Sequence, residues 1–141
     1  MDIEKFVKEG SLRRIEPSPQ LSSKEFKEAN YDLGRAEEAL KNRDFKWAIV
    51  KSYYSMFHAA KCILFLLGLK EKAHFVVGEV LEMLSKEGKL EAQYVDDFRA
   101  GMSCREGADY HYDYSEESAR QVVGMAKEFV NRMKRLRSEL E

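Results

Sequence analysis

The sequence predicts an all-α fold: an up-and-down antiparallel helical bundle of four long helices plus a short extra helix. Three observations carry this expectation. No proline follows Pro19, so almost the whole chain beyond it is free to be helical. Apolar residues recur at spacings of three and four rather than two, the period of a helix with one buried face. Threonine is absent, and the alternating β-branched runs that announce strands do not occur. Together these exclude an all-β or doubly wound fold.

The elements follow in order. Ile3, Phe6 and Val7 share one side of a short helix over Asp2 to Lys8, ended by Gly10. Pro17-Ser18-Pro19 then reads as a stiff connector. Ser22, followed by Glu25, matches the capping box in which hydroxyl and carboxylate each accept an orphan N–H, and so places the next helix start there. Phe26, Ala29, Leu33, Ala36 and Leu40 trace its buried face, and Asn42-Arg43-Asp44 closes it.

Asp44 is the expected N-cap of a helix from Phe45 to about Leu67, ended by Gly68. It is apolar almost all round. Ile49, Tyr53, Phe57, Ala60, Leu64 and Leu67 form one stripe and Trp47, Val50 and Tyr54 a second, which places it centrally in the bundle. After a turn at Leu69 to Lys72, His74 to Leu84 is the next helix, ended by Gly88. Another starts near Leu90, with Tyr94, Val95, Phe98 and Met102, and loses definition at Gly107. Ser115, with Glu116 and Glu117 in the following turn, starts the last helix, whose buried face is Ala119, Val122, Val123, Ala126, Val130, Met133 and Leu136. Residues 1–141 read as one domain, with its core over about 22–135 and a short helix and connector over 1–19.

Composition narrows the function classes. The 24 basic and 25 acidic residues nearly cancel, so any contact with RNA or a nucleotide must come from a local patch. The basic stretch Lys127, Arg132, Lys134, Arg135 and Arg137 offers a weak candidate for RNA contact, but such a run is more often a solvated helix face favoured by the helix dipole. The longest apolar run, Cys62 to Leu69, is far short of the ~20 residues that span a bilayer. Cys62 and Cys104 form no CxxC, and the N-terminus lacks the order of a secretory signal, so a cytoplasmic protein is expected. No cofactor motif appears: there is no HExxH or paired ExxH spacing for a metal, no glycine-rich phosphate loop and no GxSxG.

Chemistry concentrates between Cys104 and Tyr114, which hold three of the seven tyrosines, Arg105 and His111. Arg105 and Asp109 stand four apart and pair on a continuous helix, with Tyr112 a turn further on. Arg105 offers a permanent charge and a fork of donors for phosphate, and His111 can move a proton near neutral pH. Those two suffice in principle to cleave RNA, whose own 2′-hydroxyl is the nucleophile. Six residues turn a helix through about 240° net, so the two share a site only if Gly107 breaks the helix or a second subunit intervenes. His58, on a mainly apolar helix, is expected to be buried and hydrogen-bonded rather than catalytic, and His74 to cap a helix or face water.

Ser52-Tyr53-Tyr54-Ser55-Met56-Phe57-His58-Ala59-Ala60-Lys61, then Gly68 and His74, then Arg105 with Ala108-Asp109-Tyr110 and a following Ser115-Glu116-Glu117-Ser118-Ala119 form an ordered set that resembles the HEPN domain family. The resemblance implies a small prokaryotic homodimer, encoded beside a minimal nucleotidyltransferase as a toxin and antitoxin pair. Active family members are metal-independent RNases with an arginine, four to six residues, then a histidine at a cleft across the dimer. Arg105 and His111 have five residues between them. The site so implied has Arg105 and His111 as catalytic residues, with Asp109, Tyr110, Tyr112, Tyr54 and His58 supporting or binding. The alternative is a non-catalytic subunit that binds a nucleotide or docks a protein.

Overall fold

The computed structural model describes residues 3–141, so the expected helical residue Asp2 lies outside the described residues. The elements are α1 (Ile3–Glu9), β1 (Leu12–Arg14), α2 (Pro19–Lys41), α3 (Phe45–Leu66), β2 (Leu69–Glu71), α4 (Phe75–Lys86), α5 (Ala92–Tyr110) and α6 (Glu116–Leu140). The long helices α2, α3, α5 and α6 make the bundle. α3 packs on α2, α5 and α6 and is its centre. Tyr53, Met56, Ile63 and Leu64 of α3 are sealed against Phe98 of α5 and Phe129 and Met133 of α6. Burying one such side chain contributes roughly 1.5–3 kcal/mol, so this seam is the main stabilising feature.

Local chemistry explains the helix ends. Asp44 accepts from the Trp47 N–H, and Ser115 accepts from the Ser118 N–H, both as expected. The start of α2 differs from expectation. Its N-cap is Ser18, which accepts from the Leu21 N–H, and Pro19 fills the first helical position, where a missing N–H costs nothing. Ser22 lies inside α2, buried, with Oγ 3.0 Å from Cys62 Sγ and accepting from Arg137 Nε at 3.1 Å. Replacing Ser18 with alanine is therefore expected to lower the unfolding free energy by about 1 kcal/mol, as read from urea denaturation.

Two further differences bear on the site. The segment at Leu69 to Lys72 holds a strand: β2 pairs antiparallel with β1 in the register Leu12↔Glu71, Arg13↔Lys70 and Arg14↔Leu69. Three-residue strands are too short for any alternation to register in a sequence. Gly107 does not break α5, which continues to Tyr110. The chain turns at Tyr112, which takes the left-handed conformation (φ 55) usually left to glycine, while the His111 and Asp113 N–H groups both donate to the Gly107 carbonyl. Trp47, expected in an apolar stripe, is half exposed.

Nor is the basic C-terminal stretch uniformly solvated. Arg132 is buried and donates from Nε to Glu91 at 2.6 Å, from NH1 to Glu139 and from NH2 to the Lys89 carbonyl, tying α6 to the start of α5. Arg137 donates to Ser22 and Ser23 and ties α6 to α2. No helix among the described residues is long and apolar enough to cross a membrane.

Candidate functional site

α3 is buried on most of its circumference but keeps one half-open stripe: Trp47, Lys51, Tyr54, His58 and Lys61, at helical spacing. Polar groups of neighbouring elements converge along it. On the α2 side, His58 Nδ1 lies 2.9 Å from Glu25 Oε2, and His58 Nε2 lies 3.6 Å from Asp32 Oδ2. Lys61 bridges Glu25 at 3.0 Å and Glu71 of β2 at 3.5 Å. Burial alone would raise Glu25, but hydrogen bonds from His58 and Lys61 hold its carboxyl below the usual range. Asp32 is pushed up by burial, against the pull of Lys51 and His58. His58 is thus half-buried between two carboxylates, and it ties α2 to α3.

On the other side of the stripe stands Arg105 of α5. Its guanidinium lies 5.2, 5.8 and 6.0 Å from the ring centroids of Tyr53, Tyr54 and Tyr110, three faces that attract a cation through their quadrupoles. Its NH1 is 3.6 Å from Asp109 Oδ2, the expected i,i+4 pair at a loose distance. The side chain is only 15% exposed, and its Nε–H is buried without a partner. Such an orphan donor costs roughly 1–3 kcal/mol. An arginine held by rings yet short of acceptors is a cation prepared for an anion.

Tyr53 links this arginine to a residue 21 positions away in sequence. Its hydroxyl lies 3.3 Å from Nδ1 of His74, whose ring stacks on Phe57 at 4.3 Å between centroids. Burial pushes the Tyr53 phenol up to about 12, although Arg105 pulls it down. His74 is shifted the other way, held below the ordinary imidazole range by burial first and then by the Arg105 cation.

The structure therefore gathers Arg105, Asp109, Tyr54 and Tyr110 and leaves other sequence candidates outside. His111 caps α5 in solvent, and among the described residues no hydrogen bond or ion pair joins it to Arg105. Tyr112, beyond the helix, is 77% exposed and does not lie a turn along the Arg105 face. His58 belongs instead to the polar contacts with Glu25 and Asp32 that join α2 to α3. Tyr53 and His74 were not among the expected site residues. A phenol in an apolar stripe, which must find a partner for its hydroxyl, was the available signal. A concavity of about 770 Å3 between α2 and α6 is lined by Glu37, Glu38, Lys41, Arg43 and Arg120 among others and contains none of the Arg105 cluster.

The family model of the HEPN domain matches residues 23–136. The chain belongs to the HEPN domain family. A protein of Methanocaldococcus jannaschii named "Putative toxin MJ0605" is 30% identical to it over 114 residues, covering 79% of this chain and 85% of that protein. In this HEPN bundle the resembling segments lie on α3 (Ser52 to Lys61), late α5 (Arg105, Ala108 to Tyr110) and the first turn of α6 (Ser115 to Ala119). The first two meet at Arg105 and its rings.

Proposed function

We propose that this HEPN protein is a toxin-type RNA-cleaving enzyme that works as a cytoplasmic homodimer and is controlled by a minimal nucleotidyltransferase partner. The observation that carries this reading is Arg105, a caged cation with an unpartnered Nε–H and one loose ion pair. A phosphodiester supplies the missing acceptors, and Tyr54 and the exposed Tyr110 offer ring faces on which unpaired bases can stack. The toxin name of the M. jannaschii relative supports the same direction.

The chemistry needs a nucleophile, which RNA itself carries. The 2′-oxygen bonds to phosphorus and the P–O5′ bond breaks, while the 2′ proton passes to an imidazole and the 5′-oxygen takes one from a protonated imidazole. Arg105 neutralises the charge on the phosphoryl oxygens. His111, which stands apart from Arg105 within one chain, enters the site across a two-fold axis, so that two copies of it serve as base and acid.

The isolation of His111 also favours a second reading, a non-catalytic HEPN subunit that binds a nucleotide or docks the nucleotidyltransferase through Tyr110, Tyr112 and Tyr114. One experiment separates the two. Purified protein incubated with total RNA in chelator is expected to cleave it, with His111→Ala at least about 100-fold slower. Cleavage indifferent to that substitution removes His111 from the site, and no cleavage by the unmodified protein selects the binding reading. A monomeric mass by sedimentation would refute the dimer.

A further inference from the structure

The contact between Tyr53 and His74 fixes where one proton sits. Tyr53 is fully buried, and its phenol keeps its proton throughout the physiological range. A buried O–H needs an acceptor, and the one the structure gives it is His74 Nδ1 at 3.3 Å. If the phenol donates, Nδ1 is bare, and a neutral ring must carry its proton on Nε2. Nε2 lies on the opposite edge of the ring, has no partner among the described residues, and belongs to a residue that is exposed although one ring face rests on Phe57.

We propose that His74 is a neutral hydrogen-bond donor to the phosphate that Arg105 attracts, with its Nε2–H presented outward by the Tyr53 hydroxyl. This rests on the phosphate role of Arg105 given above, and assigns a second donor to the same site. The two side chains share one platform. The Arg105 guanidinium lies 5.2 Å from the Tyr53 ring centroid and the His74 ring 6.4 Å from it. Tyr53 is then a positioning residue, acting on the ligand only through the tautomer of His74.

Neutrality is built in by the surroundings. Burial against α3, Arg105 of α5 and Lys61 of α3 all disfavour the imidazolium, and among the described residues Glu71 of β2 is the opposing charge that bears on it. A donor that stays uncharged binds phosphate without taking up a proton, so affinity for a fully ionised phosphate is flat from about pH 7 upward. Below the ordinary imidazole range the folded state resists protonation of His74 more than the unfolded chain does. Stability linked to this ring is therefore complete above about pH 6.5 and is lost as the pH falls through its lowered folded value.

The test is nitrogen-15 NMR of the histidine rings at pH 7.5, with titrations of inorganic phosphate, 5′-AMP and an uncleavable 2′-O-methyl oligonucleotide. The Nε2–H tautomer is expected for His74, with its ring resonances moving as ligand binds. The three probes tell a free phosphate, a nucleotide and an RNA backbone apart. His74→Ala is expected to weaken the tightest of them about 10-fold, His74→Gln, which keeps an amide donor, to recover part of that, and Tyr53→Phe to weaken it about 3-fold with mixed tautomers.

An Nδ1–H tautomer or an imidazolium at pH 7.5 overturns the proposal. So does equal binding by His74→Ala where Arg105→Ala binds nothing, or no binding of any probe to the unmodified protein at millimolar concentration. A protein that binds through His74 and Arg105 yet cleaves no RNA leaves this inference standing and refutes the nuclease reading alone.

Discussion

Arg105→Ala is expected to reduce RNA cleavage by about 10²–10³-fold, the loss that follows removal of a donor aimed at developing charge in a protected site. Its fold should be nearly unchanged, and that contrast makes the prediction informative. The guanidinium gains roughly 1–2 kcal/mol from its three tyrosine faces, while its orphaned Nε–H costs a similar amount. The two nearly cancel, so the urea midpoint should move little. Arg105→Lys keeps the charge but loses the planar stacking and the fork, and should fall between the two. An independent readout is His74: with the Arg105 cation gone, its titration midpoint should rise towards the ordinary imidazole value. A large loss of stability in Arg105→Ala, or full activity, would refute the assignment.

The same residues show what was legible in the sequence. Asp44 and Ser115 were readable as caps because a cap is a contact between neighbours in the chain, and Gly68 and Gly88 as helix ends because backbone handedness is local. The Arg105–Asp109 pair was readable for the same reason. Ser22 misled because its match to a capping box is local too, whereas its real partners, Cys62 and Arg137, are distant in sequence. The serine between two prolines was the stronger start signal, since proline is preorganised for the first helical position. Tyr53 and His74 stayed hidden because they meet only after β2 and the start of α4 have packed against α3. Complementary chemistry and the family pattern joined Arg105 to His111 although helical spacing set them on different faces, and Tyr112 rather than Gly107 makes the turn between them and α6.

Gly68→Ala is expected to destabilise the fold by about 3 kcal/mol or more and to weaken binding at the Arg105 site as well. Gly68 has φ +75, where an alanine costs about 1–2 kcal/mol. The added Cβ would also fall 2.8 Å from the Ile15 carbonyl oxygen and 3.2 Å from the Pro17 ring. Neither group can yield cheaply. The Ile15 N–H donates to the Gly68 carbonyl at 2.9 Å, and the Ser18 N–H donates to the Phe65 carbonyl, so the connector is pinned on both sides of the clash. Relief requires residues 15–18 to move off α3, which strips β1 from β2 and the cap from α2. β2 carries Glu71, and the chain after it reaches His74 within three residues, so a shifted β2 displaces the edge of the site that Tyr53 orients. Gly88→Ala separates the causes. Its φ of +77 is nearly the same, but a Cβ there meets nothing within 4 Å, so only the torsional penalty of about 1–2 kcal/mol applies. Urea midpoints that fall equally in the two variants would show that the connector absorbs the clash. A larger fall in Gly68→Ala, accompanied by weaker 5′-AMP binding that Gly88→Ala does not show, would establish that the β1–β2 junction holds the site in register with the bundle.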